Sequence, residues 1–438
     1  MTAFTDRWGV PVQAESAKAV ALLDQAVEDL AALAGEPVAG TRAALAEDDR
    51  LLLGHIYSAY LSLYANTSAG VAAARKVLDD LERFDGGTDE REVLHLRAAR
   101  AWANGEWGEA TRSLERALLH NPRDLLALKV AQDLYFFLGN RLDLRDVAAR
   151  VLPAWPVDLP GWGYISGIYA FGLEENADYR AAEARARDAL IDNPLDVWAV
   201  HALAHVFEME GRQHEGVAFL TETAPDWSPS YFAVHNWWHR CLYHLDLLEF
   251  DEVLDLYDGP IRAERSAQWL DIVDAAALLW RLSLFGVDVN ERAERLADDV
   301  EALLDGPVYV FNDWHAAMAL ALVGRQSEIE QLVASTRRHA VGTNRLAAER
   351  AGLTLLEGFA SFADGHFDRA LDLLVDIRPC AHAVGGSHAQ RDIIDLTLLA
   401  TAARAGQEAL AQALLAERVA RKPTGEQAAA ALLRANGL

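Results

Sequence analysis

The sequence predicts an all-α protein, a helix-pair repeat solenoid wound into a superhelix, and two observations carry that prediction. The first is a pair of near-identical segments, Ala117-Leu-Leu-His-Asn-Pro-Arg-Asp124 and Ala189-Leu-Ile-Asp-Asn-Pro-Leu-Asp196, set 72 residues apart, which is two units of 36. The second is a series of glycines that close one helical pattern just before a residue that opens the next: Gly105, Gly139, Gly211, Gly286, Gly324, Gly365 and Gly406. Their separations are 34, 72, 75, 38, 41 and 41, and placing Ala177 and Leu248 in the two double gaps gives about nine or more units of 34 to 41 residues. Glycine admits positive φ, which a helix needs in order to stop and reverse.

The elements follow in chain order. Met1 to Val12 carries Asp6 and Arg7 and has no apolar h-region, so it does not read as a secretory signal. Ser16 to Leu33 and Asp48 to Tyr64 read as amphipathic helices joined by Gly35-Glu-Pro-Val-Ala-Gly40. Residues 1–100 are therefore expected to form an N-terminal helical cap or irregular first repeats. Residues 101–438 are expected to form one continuous tetratricopeptide-like array, since the period of the units is close to 34. Gly365-His-Phe-Asp-Arg-Ala-Leu-Asp-Leu-Leu374 shows the pattern: a turn, an aromatic residue, then apolar residues at helical spacing. Asn-Pro between units ends one helix and aims the chain at the next.

Composition fits a protein that buries a core, with 52% hydrophobic residues among 438. Sixty-six acidic against 40 basic residues give a formal charge of −26, which repels phosphate backbones and anionic lipid heads. Nucleic acid and membrane are thus not expected as partners. The two cysteines, Cys241 and Cys380, are too few for a disulfide framework, and a cytoplasmic location is expected.

Candidate chemistry concentrates in one block. His201-Ala-Leu-Ala-His205 and His235-Asn-Trp-Trp-His239 each place two imidazoles at i and i+4 on one helix face, and the pairs are offset by 34 residues. If that offset is the repeat, both pairs occupy the same structural position and four imidazoles form a patch on adjacent helices. The cofactor such a patch admits is a divalent metal held by two or three of His201, His205, His235 and His239, with Glu208 or water completing the set. Position 202 is alanine, so the metalloprotease pattern His-Glu-x-x-His is missing. The competing expectation is that these histidines hydrogen-bond where helices pack.

Other polar residues in apolar surroundings extend the candidate ligand-binding set: Arg145, Glu174, Asn236, the Asn312, Asp313 and His315 of Phe311-Asn-Asp-Trp-His315, and the Gln390 and Arg391 of Gly385-Gly-Ser-His-Ala-Gln-Arg-Asp392. In the last segment Ser387 reads as an N-cap, and a helix N-terminus there suits an anion. No serine or cysteine stands beside an obvious base in sequence, and there is no glycine-rich phosphate loop.

These segments resemble the tetratricopeptide repeat protein 38 family. The resemblance rests on Phe171-Gly-Leu-Glu-Glu175, Trp198-Ala-Val-His-Ala-Leu-Ala-His-Val-Phe-Glu-Met-Glu-Gly-Arg212, His235-Asn-Trp-Trp-His239, Phe311-Asn-Asp-Trp-His315, Gly386-Ser-His-Ala-Gln-Arg-Asp392 and Asp6-Arg-Trp-Gly9, and so spans nearly the whole chain. It implies a helical-repeat fold and a soluble location, supplies no catalytic role, and maps the family's motif histidines onto His201, His205, His235, His239 and His315.

The leading functional expectation is a pocket lined by histidine and tryptophan that binds a small molecule or peptide. One alternative is an enzyme, metal-dependent or not, that uses the histidines as ligands or general bases. Another is a protein-interaction scaffold. The crowding of Trp162, Trp198, Trp237, Trp238, Trp280 and Trp314 around these segments favours a walled pocket over an open surface. Oligomeric state is not encoded in any feature of the sequence.

Overall fold

The chain begins with a β-hairpin. In the computed structural model, which describes residues 2–81, 89–304 and 306–438, strands β1 (Thr2–Thr5) and β2 (Pro11–Ala14) pair antiparallel with Thr2 opposite Ala14 and Thr5 opposite Pro11. Asp6 ties the turn, its Oδ1 accepting from the backbone N–H of Trp8 (3.0 Å) and Val10 (2.8 Å), and Gly9 takes φ +85°. The sequence reading placed no strand in this segment, whose alternation of buried and exposed residues with period two is too short to stand out as a strand signal.

Beyond the hairpin the described residues are almost entirely helical, and helices neighbouring in sequence pack against one another. No helix among them is long and apolar enough to cross a membrane.

The helix ends are regular. All nine positions read from the sequence hold positive φ: the seven glycines from Gly105 to Gly406, and also Ala177 and Leu248, both at +62°. At each, the next residue's N–H bonds a carbonyl five positions back, as in Glu106 to Ala101 (2.8 Å), Asp178 to Leu173 (3.0 Å), Glu249 to His244 (2.9 Å) and Gln407 to Ala402 (2.9 Å). This Schellman closure satisfies carbonyls that the helix leaves unpaired. Leu33 (φ 52°) closes the helix Ala17–Ala32 in the same way, with Ala34 N–H on Asp29 (3.1 Å). The device thus operates inside the first hundred residues as well, of which residues 82–88 lie outside the described set.

The duplicated Asn-Pro-x-Asp segments act as double caps. Asn121 and Asn193 end one helix, and Asp124 and Asp196 accept from the N–H of Ala127 and Ala199, 3.1 Å in each case, to start the next.

Two compact units result. Unit 1 comprises Met1–Leu203 with Pro225–Phe232, and unit 2 comprises Ala204–Ala224 with Ala233–Leu438. The division passes through the helix Val197–Glu210. In unit 1 the core includes Trp8, Tyr57, Tyr60 and Phe171; in unit 2 it includes Trp238, Tyr243, Trp280, Trp314 and Phe359.

Candidate functional site

In unit 2 three histidines meet in the interior. His205 comes from the helix Val197–Glu210, and His235 and His239 from the helix Ala233–Asp246. All three are at most 2% exposed, and each offers a ring nitrogen within 4.8 Å of those of the other two. The ring centroids of His205 and His239 are 4.4 Å apart, those of His235 and His239 4.9 Å, and His388 presents its ring edge-on to His205 at 5.2 Å.

The register expected from the 34-residue offset needs correction. Gly211 and Leu248, which close the two helices, are 37 residues apart, so His239 corresponds to Ala202 and not to His205. The three-residue discrepancy is close to one helical turn, which is why His205 and His239 still meet. His201 stands one turn before His205 on the same helix. Within unit 1 its ring packs against Phe171 (4.9 Å), Phe232 (5.1 Å) and Trp198 (5.6 Å).

Two carboxylates orient the cluster. Asp274, on the helix Trp269–Leu284, accepts from His235 Nδ1 at 2.8 and 3.0 Å. Burial raises the pKa of Asp274, and the adjacent His235 opposes that shift. Glu208 receives Lys422 Nζ on Oε1 at 3.1 Å, and its Oε2 stands 3.6 Å from His239 Nδ1. Burial alone would push Glu208 up, but the charge of Lys422, with His205 and His388, brings it below the usual carboxylate value. Lys422 also meets Asp246 at 2.7 Å. His239 is driven far below its usual pKa by burial and then by the neighbouring His205, His235, His388 and Arg281, so it is a neutral imidazole.

A cavity of about 560 Å³ opens beside this cluster, entirely within unit 2. Glu208 and Lys422 form its buried end, and exposed His382 and Arg421 stand at its mouth. Its charged lining is Arg378, Arg391, Arg418, Arg421 and Lys422 against Glu208, Asp392 and Asp395, a local excess of two cations in a chain of formal charge −26. Arg418 is held by Asp392 (2.8 Å) and Arg421 by Asp395 (2.9 Å), while Arg391 donates to the carbonyls of Gly385 (3.0 Å) and Gly386. The helix His388–Arg404 begins at the cavity with a full capping box: Ser387 Oγ accepts from Gln390 N–H (3.2 Å), and Gln390 Oε1 accepts from Ser387 N–H (3.0 Å). Gly386 (φ +76°) is required there, since a Cβ would sit 2.5 Å from the Phe311 ring.

The other sequence candidates are dispersed. Glu208 and Arg391 line the cavity, and Gln390 belongs to the cap beside it. Asn236 is fully buried, and neither amide atom has a hydrogen-bond partner among the described residues. His315 donates from Nδ1 to the Phe311 carbonyl (2.8 Å), and burial, with Arg281 nearby, lowers its pKa to about 3. Asp313 accepts from Thr336 Oγ1 at 3.4 Å, and Asn312 lies one residue before it, nearly buried. In unit 1, Glu174 is fully buried, and Arg145 makes a part-exposed pair with Asp146 at 2.7 Å. No tryptophan is among the residues that line the cavity; Trp238, Trp280 and Trp314 are core instead.

Several partners of the site were not singled out from the sequence: Asp274, Arg281, Arg378, Asp395, Arg418, Arg421 and Lys422. Asp274 and Arg281 bracket the apolar run Ala275–Trp280, and charges at both ends of so apolar a stretch were the available signal.

Unit 1 holds one instructive contrast. Asp124 is gripped by Arg91 (2.7 Å) and His95 (3.0 Å), which bring its pKa far down against the effect of burial. Asp196, 72 residues later, faces Gly163 and Gly167, which lie 72 residues after Arg91 and His95. With glycine in place of those two side chains, burial pushes Asp196 up to about 7.

No protein-family model matches the chain.

Proposed function

We propose that the protein is a tetratricopeptide-like solenoid, of the kind seen in the tetratricopeptide repeat protein 38 family, that binds a small molecule bearing a phosphate or carboxylate group in the cavity of unit 2. The observation that carries this reading is the lining. Five cationic side chains and the start of the helix His388–Arg404 face one cavity in a strongly acidic protein. Helix N-termini carry partial positive charge and free N–H groups, and arginine forks match planar oxyanions. A volume near 560 Å³ suits a ligand of metabolite size. The nine Schellman helix ends support the repeat part of the proposal.

Calorimetric titration with inorganic phosphate, pyrophosphate and citrate tests it. At least one should bind, and Arg391→Ala and Arg421→Ala should each weaken that binding about tenfold or more, with helix content unchanged. Absence of binding by all three, or binding indifferent to both substitutions, overturns the reading.

A further inference from the structure

We infer that His205, His235 and His239, beside the buried end of the cavity, form a binding site for one divalent transition-metal ion. The inference does not depend on the identity of the anionic ligand proposed above.

Three features converge. The ring nitrogens of the three residues already lie within 4.8 Å of one another, in an interior where each side chain is at most 2% exposed. Ligands of a tetrahedral zinc at 2.0–2.1 Å stand about 3.3 Å apart, so small side-chain rotations close the set. Asp274 supplies the second feature. It accepts a hydrogen bond from His235 Nδ1–H, which fixes the ring and leaves Nε2 with its lone pair, the carboxylate–histidine arrangement that supports ligands in metalloproteins. The third is Glu208. Its Oε1 is committed to Lys422, but its Oε2 makes no hydrogen bond among the described residues and stands 3.6 Å from His239 Nδ1. A carboxylate oxygen in that position either completes a fourth coordination site or accepts a proton from a metal-bound water.

The donor set selects the metal class. Three imidazoles with at most one carboxylate suit zinc, cobalt, nickel or ferrous iron, whereas calcium and magnesium ask for six or more oxygens or an octahedral set. The cavity provides the entry route, because Glu208 lines it and His388, also in its wall, reaches the ring of His205.

The test uses the full chain made without a histidine tag, stripped with chelator and titrated with Co²⁺, reading visible d–d absorption and, by competition, Zn²⁺ affinity. One equivalent of Co²⁺ should bind with the strong absorption of a tetrahedral site. His205→Gln and His239→Gln should lower affinity at least 100-fold. Asp274→Asn, which leaves all three ligands in place, should lower it 10–100-fold. Circular dichroism reports whether each variant folds, and Asp274→Asn serves if a histidine variant does not. Arg421→Ala should bind Co²⁺ as the wild type does even where it loses the anion, which separates this site from the cavity ligand. A wild type that takes up no cobalt, or a folded His239→Gln that binds it as tightly as the wild type, overturns the assignment.

Discussion

The nine left-handed helix ends read from the sequence differ in how comfortably their residues sit, and that difference sets up a reciprocal experiment. At Gly324 and Gly406 an added Cβ would meet no atom within 4 Å, so Gly→Ala there tests backbone conformation alone. Holding a non-glycine residue in the left-handed region costs about 1–2 kcal/mol. Replacing glycine also restricts the unfolded chain, which returns about 0.4–1 kcal/mol. The net expectation is a loss of roughly 0.5–1 kcal/mol for each substitution. Ala177 is the mirror case, because it is exposed, holds φ +62° and gives up almost no burial as glycine, so Ala177→Gly should gain roughly the same amount. Urea unfolding followed by circular dichroism reads both, with the midpoint moving and the slope unchanged. Thermal midpoints should shift by about 1–4 °C in opposite directions. A destabilised Ala177→Gly, or Gly324→Ala and Gly406→Ala indistinguishable from wild type, would refute the claim that these positions are equivalent helix closures.

Two buried groups make the stability of the units depend on pH in opposite senses. His315, with a folded pKa of about 3 against 6.5 unfolded, contributes stability that is complete above pH 6.5 and lost as pH falls toward 3. That loss amounts to about 2 kcal/mol between neutral pH and pH 5, and His315→Phe should flatten the acid limb of a midpoint-versus-pH curve; an unchanged limb contradicts this. Asp196, raised to about 7, is stabilising when protonated, and that contribution is lost as pH rises from about 4 through 7. Asp196→Asn keeps a capping side chain and should raise the thermal midpoint at pH 8 but not at pH 4, whereas equal effects at both would count against a perturbed carboxyl.

The helix ends were legible because the glycines that admit positive φ mark them directly. Ala177 and Leu248 were legible only through the period, since neither residue type signals a left-handed conformation. The hairpin was missed because strands of four residues, Thr2–Thr5 and Pro11–Ala14, carry almost no pattern. For the site, pairs at i and i+4 found the histidines, because one helix fixes that spacing. The offset between the pairs misled, because Leu248 closes its helix 37 residues after Gly211 while the histidines repeat at 34. Asp274 and Lys422 are different in kind. They reach His235 and Glu208 from 39 and 214 residues away, and no local pattern encodes a contact made by the stacking of distant helices.

Whether the cationic cavity of unit 2 receives an oxyanion can be read from a crystal structure of the protein grown with pyrophosphate. Density for the anion should lie inside the cavity, within hydrogen-bond distance of the Arg391 or Arg421 guanidinium and near the N-terminus of the helix His388–Arg404. Density for the anion only elsewhere on the protein, with water alone in that cavity, would contradict it.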